Sequence, residues 1–280
     1  MDARRLALAG VVLTVLAGAG VAIAQAPMPG ASGALGAMTA KPATDKPFGY
    51  LGLAAPDTYK ILPPAPTPGT VRYEADRQTF LKTRSLQDSP RWALAVNDVD
   101  QKAILKDLSC AVGVELTKDN APKFIALFTK MLPDIGYATN HPKDIYKRQR
   151  PYLIDEGPIC VPKDAALAAS PDYPSGHVTY SWTLGLVLAE LVPDRSTEVL
   201  VRARAFGESR LVCGVHNMSA VESGRTNASA LVAGLHGSPD FRADMEAART
   251  EIAATRAKGP APDAAGCAAE AEVTKSSPYN

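Results

Sequence analysis

The chain has 280 residues, a formal net charge of +1 and four cysteines, and 46% of it is apolar. A near-neutral balance excludes the broad basic footprint that nucleic-acid binding needs. The length and apolar content suffice for one sizeable core, or two small ones.

Residues 1–24 read as a secretory signal peptide. Arg4 and Arg5 precede an apolar run from Leu6 to Val21, and Ala22-Ile23-Ala24 supplies a small-residue cleavage site. Its removal takes away Asp2, Arg4 and Arg5 and leaves a formally neutral chain, so any anion site must be local. No later apolar stretch reaches the roughly 18 residues of a membrane span. The expectation is a periplasmic or secreted protein with no membrane attachment after signal cleavage. In an oxidising compartment four cysteines imply two disulfides, in any of three pairings.

Residues 25–70, rich in Pro, Gly and Ala, are expected to lie extended over the surface. Residues 71–256 carry helical periodicity nearly throughout. Trp92, Ala93, Leu94, Val96, Val99, Ile104 and Leu105 predict one amphipathic helix. Phe124, Ile125, Phe128, Met131 and Leu132 predict a second, stopped near Pro133. Pro142 suits a first helical position and Pro151 disfavours helix before it, which predicts a short helix over 142–150. A strongly apolar helix is expected from His177 to Leu191 and a charged one from Ser196 to Val212. Two more are expected, from His216 to about Leu235 and from Pro239 to about Thr255. Residues 257–280 are expected to form a loose tail. Alternating strand patterns are scarce, so the chain reads as an all-α, single-domain helical bundle.

Three short motifs carry the chemistry. Lys143 and Arg150, followed by Pro151, stand seven residues apart, almost two helical turns, which puts both cations on one face of a regular helix. Beside Lys147 and Arg148 they also fit an ordinary solvated basic face. Pro174-Ser175-Gly176-His177 precedes the apolar helix. Its first N–H groups lack internal partners and form an anion site, although Ser175 equally fits a plain N-cap. Ser209-Arg210, five residues and His216 make the third motif, with His216 as a pH-active group.

In combination these segments resemble the signature of the class A bacterial nonspecific acid phosphatases, in the type 2 phosphatidic acid phosphatase superfamily. Leu62-Pro63-Pro64, Ser89-Pro90-Arg91-Trp92, Asn97-Asp98-Val99-Asp100 and Gly224-Arg225 are also similar to that family. The resemblance spans about residues 60–235 and implies an exported, all-helical phosphatase, often a homo-oligomer, that uses no metal or cofactor. Lys143, Arg150 and Arg210 match the family's phosphate-binding cations, and Ser175 and Gly176 match its phosphate-cradling loop. His177 matches the general acid and His216 the nucleophile that forms a phosphohistidine. Cys160 and Cys213 resemble a bridged pair, which leaves Cys110 with Cys267. The implied substrates are small phosphomonoesters, with phosphoryl transfer to alcohols as a side activity.

The family pattern is H-x3-D, with the aspartate orienting the nucleophilic histidine. Here that place holds Ala220. In a regular helix Glu222, at i+6, points away from His216, whereas Ser219, a backbone carbonyl or a water remain open as its support. Two other readings stay open with it: a noncatalytic phosphate-ester binding protein, and a vanadium-dependent haloperoxidase, whose active site the family shares.

Overall fold

The computed structural model describes residues 49–279. The signal-peptide reading of 1–24, and the extended-segment reading of 25–48, lie outside them. Among the described residues all regular structure is helical. Eight helices organise it: α1 Val71–Thr83, α2 Pro90–Asn97, α3 Pro122–Tyr146, α4 Gly176–Leu191, α5 Ser196–Val212, α6 Met218–Leu235, α7 Pro239–Lys258 and α8 Ala264–Thr274. No helix among these residues is long and apolar enough to cross a membrane.

Helix α4 lies at the centre, packed against α5 and α6, while α3 and α7 pair along one side. The core is continuous across them: Phe124 and Met131 of α3, Leu184 and Leu188 of α4, Phe206 of α5, Leu231 of α6 and Phe241 of α7 are all buried. The close approach of α4 and α6 depends on Gly224, where a Cβ would stand 2.7 Å from Val178 Cβ and 2.9 Å from the Ser175 carbonyl oxygen.

Four expectations are corrected. The segments split at Pro133 and at Pro142 are a single 25-residue helix, α3. A proline inside a helix deprives the carbonyl four residues earlier of its donor. For Pro142 that carbonyl belongs to Ala138, and it is satisfied from outside by Thr58 Oγ1 at 2.9 Å and Asn227 Nδ2 at 2.8 Å. Helix α3 ends instead at Tyr146, because Lys147 adopts a left-handed conformation with φ 46°.

The helix expected across Trp92–Leu105 is also broken. Ser89 caps α2 by accepting from Trp92 N at 3.2 Å, and the helix stops at Asn97. Asp98 then turns inward to Arg202 at 2.6 Å and Ser209 Oγ at 2.5 Å. Short helical turns follow over Gln101–Ala103, Ile104–Asp107 and Ser109–Val112.

The expected loose tail of 257–280 contains α8, capped by Asp263, which accepts from Gly266 N at 2.7 Å. Cys267 is disulfide-bonded to Cys110, Glu270 meets Arg202 Nε at 2.8 Å, and Arg204 Nη2 donates to Thr274 O at 2.9 Å. Likewise 49–70 is not merely extended. It contains helical turns at Gly52–Ala54 and Thr58–Ile61, and Tyr50 N donates to Asp134 Oδ2 at 2.7 Å.

The Cys110–Cys267 bridge joins residues 157 positions apart, so it removes much freedom from the unfolded chain. Replacing both cysteines by serine is expected to cost about 2–5 kcal/mol, read as a lower urea midpoint under non-reducing conditions. An unchanged midpoint would mean that polar contacts alone hold α8.

Candidate active site

The three sequence motifs converge, by a route the sequence spacing does not suggest. Lys143 lies in the last turn of α3, but Arg150 lies beyond the helix in extended backbone, with φ −73° and ψ 152°. The two cations therefore share a site through the turn at Lys147 and not through a common helical face. Lys143 Nζ donates to Pro171 O. Arg150 Nε donates to Ser170 O at 2.7 Å and Nη1 to Val215 O at 2.7 Å. Burial pulls Lys143 down to about 8, with Arg150 adding to the effect and Asp172 opposing it.

Arg210 comes from the last turn of α5 and is buried, with Nε and Nη1 lacking any partner. Burial and the neighbouring Arg150 lower it to about 10. Unpartnered buried guanidinium nitrogens are costly, and they offer donors to an incoming anion.

Ser175 is the N-cap of α4 and Gly176 its first residue. The Ser175 hydroxyl caps Val178 N at 3.4 Å, and the N–H groups of Gly176 and His177, which lack partners within the helix, can face a negative charge. A Cβ at Gly176 would come within 2.8 Å of Thr139 Cγ2, so only glycine lets α4 begin this close to α3. Ser175 N donates to Ala220 O at 3.0 Å, fixing the loop to α6.

His177 stacks on Phe206 with ring centroids 4.9 Å apart. Its Nε2 is buried without a partner. Burial lowers its affinity for a proton, and Arg210 and His216 add to that.

His216 follows a tight reversal. Gly214, with φ 76°, closes the end of α5, and the N–H groups of Val215 and His216 both return to Arg210 O at 3.2 and 3.3 Å. Arg84 clamps the same turn by donating to Leu211 O at 2.6 Å and Val212 O at 2.9 Å. The Cys160–Cys213 disulfide ties it to the segment that precedes α4. Burial, then Arg150, Lys143 and Arg210, lower His216 well below its ordinary range, while Asp172 opposes them.

The expectation that His216 lacks a carboxylate is corrected. Helix α6 begins at Met218, so His216 is outside it and the i+4 relation to residue 220 does not apply. Ala220 is buried against Leu62 and Tyr173. The carboxylate beside His216 is Asp172, whose Oδ1 stands 2.9 Å from His216 Nδ1. A carboxylate only accepts, so Nδ1 carries the proton and the lone pair lies on Nε2, where it accepts from Arg150. Nε2 stands 3.3 Å from Arg150 Nη1. Asp172 went unread because it precedes Tyr173-Pro174-Ser175 and not the histidine. Its one sequence signal was a carboxylate adjoining a phosphate motif. Arg148, read as part of a solvated face, is buried beside it.

Among the described residues no cluster of three or more His, Cys, Asp or Glu is poised to hold a metal ion. The groups gathered here are three cations, free N–H donors and two neutral histidines, a set complementary to a tetrahedral dianion.

Residues 123–242 match the PAP2 superfamily. An acid phosphatase of Zymomonas mobilis is 42% identical over 221 residues, which cover 76% of this chain and 82% of that protein. Non-specific acid phosphatases of Providencia stuartii and Salmonella typhimurium are 35% and 33% identical, over 70% and 68% of this chain and 81% and 78% of their own lengths.

A bound dianion reverses the electrostatics that depress Lys143, His177 and His216, so binding is expected to take up protons. Affinity then falls as pH rises. Without an anion, the two histidines bind fewer protons folded than unfolded. Their contribution to stability is full above their unfolded pKa of about 6.5 and is lost as pH falls. Sulfate, a dianion throughout, is therefore expected to raise the melting temperature more at pH 5 than at pH 8. Arg210→Met is expected to abolish the difference. An equal shift at both pH values would refute this coupling.

Proposed function

Because the chain belongs to the class A nonspecific acid phosphatases of the PAP2 superfamily, and is thus a phosphoric monoester hydrolase, we propose that it works through a phosphohistidine at His216. The observation that carries this reading is the state of that imidazole. Nδ1 is engaged by Asp172, and the lone pair on Nε2 faces Arg150, one of the cations that ring the site.

In this mechanism Lys143, Arg150, Arg210 and the opening N–H groups of α4 hold the phosphoryl oxygens of a small monoester. Phosphoryl transfer gains most from positioning and fixed positive charge around those oxygens. The Nε2 lone pair of His216 forms the N–P bond as the P–O bond to the alcohol breaks. His177, protonated on Nε2 under the influence of the bound dianion, passes that proton to the departing oxygen. Water then attacks phosphorus and His177 takes its proton. The N–P bond breaks, which returns its electron pair to His216 and frees orthophosphate. An alcohol in place of water gives phosphoryl transfer.

The acidic range suits this division of labour, since the acid is a histidine whose protonation burial opposes. Two disulfides fit export to the periplasm or beyond. The noncatalytic reading rested on Ala220, and the carboxylate of Asp172 removes its motive.

His216→Ala is expected to abolish turnover of p-nitrophenyl phosphate and the acid-labile label that radioactive substrate leaves on the protein. Retained turnover would sink the mechanism. His177→Asn is expected to slow hydrolysis of an alkyl phosphate by about 10²–10⁴-fold. It is expected to slow p-nitrophenyl phosphate much less, because that leaving group needs little protonation. Equal losses on both would remove His177 from the acid role.

A further inference from the structure

We infer that Asp172 is the positioning residue for His216 in this chain, standing in for the carboxylate absent at residue 220, and that Arg148 and Asp76 hold it in place. The inference rests on the proposed role of His216 and adds a residue to it.

Every acceptor of Asp172 is committed. Oδ1 takes His216 Nδ1 at 2.9 Å and Asn217 N at 3.1 Å, while Oδ2 takes Asn217 Nδ2 at 2.8 Å. Arg148 Nη1 stands 3.5 Å from Oδ2. The backbone is fixed as well, since Asp172 N donates to Arg148 O at 2.8 Å. The side chain has no solvent exposure, so its rotamer is set by these contacts alone.

Arg148 is anchored in turn. Its Nη2 donates to Asp76 Oδ2 at 2.7 Å and its Nη1 to Ser219 Oγ at 2.6 Å. Asp76, on α1, accepts from Ser219 N at 2.7 Å and Ser219 Oγ at 2.6 Å. This explains an oddity at the start of α6. Asn217 is the N-cap, yet its side chain makes no capping bond. It serves Asp172 instead, and Asp76 caps the helix from another element.

The same arrangement explains why residue 220 need not be acidic. The Ala220 methyl is buried with Leu62 and Tyr173, and an aspartate there meets apolar walls. The charged groups facing Asp172 are Arg148 and Arg150, with Lys143 beyond, and neutral His216 is its direct hydrogen-bond partner. Burial pushes Asp172 up from the ordinary carboxylate range, and Arg148, Asn217 and Arg150 pull it back. Weakening Arg148 therefore favours the protonated acid, which no longer orients Nδ1–H.

The test compares wild type with Asp172→Asn, Arg148→Lys and Ala220→Asp. Imidazole nitrogen shifts of His216 report its tautomer, independently of whether it attacks phosphorus. In Asp172→Asn, kcat is expected to fall about 100-fold or more, by analogy with the orienting aspartate of a serine-protease triad. Sulfate affinity is expected to stay within about threefold, since the anion's own donors are untouched, and the Nδ1–H tautomer to lose its dominance. Arg148→Lys keeps a charge but not the fork, and is expected to move the acid limb of the kcat profile to higher pH. Ala220→Asp is expected to give no gain, alone or combined with Asp172→Asn. An unchanged tautomer with unchanged kcat in Asp172→Asn overturns the assignment, as does restoration of kcat by Ala220→Asp. If Asp172→Asn does not fold, the Arg148→Lys pH limb decides, and an unmoved limb overturns the proposal. Loss of the wild-type phosphohistidine label would overturn the mechanism while leaving the tautomer result intact.

Discussion

The constraint on which the structure turns is electrostatic: three cations must be held close together, largely out of water, before any anion arrives. Lys143, Arg150 and Arg210 are all buried and each lowers the proton affinity of another member of the site. Like charges in a medium of low polarisability repel by several kcal/mol at such separations. The fold absorbs this with carbonyl oxygens from Ser170, Pro171 and Val215, which engage Lys143 and Arg150 without neutralising them. Arg210 is left with two free nitrogens. Uncompensated positive charge of this kind favours an entering dianion.

Two buried ion-pair networks carry this burden from opposite sides. On one, Asp76, Arg148 and Asp172 connect α1, the end of α3 and the start of α6 behind His216. On the other, Asp98 receives Arg202 and Ser209, and Arg91 bonds Ser209 Oγ at 2.9 Å and Ala205 O at 2.9 Å. Isolated buried pairs rarely add net stability. Here their value lies in geometry: the first fixes His216 by engaging its Nδ1 through Asp172, and the second ties α5 to the turn that follows α2. Glu270 extends the second network to α8.

Much of this was legible in the sequence where one segment decides the matter alone. Helix α4 follows from an apolar run bounded by Pro174 and Pro193 and α5 from a charged run after Pro193, and Lys143, Arg150, Ser175, Gly176, His177, Arg210 and His216 do meet. What stayed hidden depends on partners far away in sequence. Pro142 reads as a helix start until Thr58 and Asn227 are seen to satisfy the freed carbonyl. Arg148 reads as a solvated cation until Asp76, 72 residues away, takes it inside. Asp172 lies 44 residues before the histidine it serves, beyond any local spacing rule. The tail composition likewise hides α8, which Cys110 and Arg202 fix from outside.

Asp172 and the Ser175–Gly176 turn at the start of α4 belong to one short stretch, anchored by Arg148 O at one end and Ala220 O at the other. The stretch carries two functions that recombination can separate from their partners. A chimera with a crossover between His177 and His216 keeps the cradle from one parent and draws its imidazole from the other. Its histidine is then supported only if the parents place their carboxylates alike. In this chain residues 172 and 216–220 form a single heritable unit, and a graft that respects helix boundaries alone breaks it.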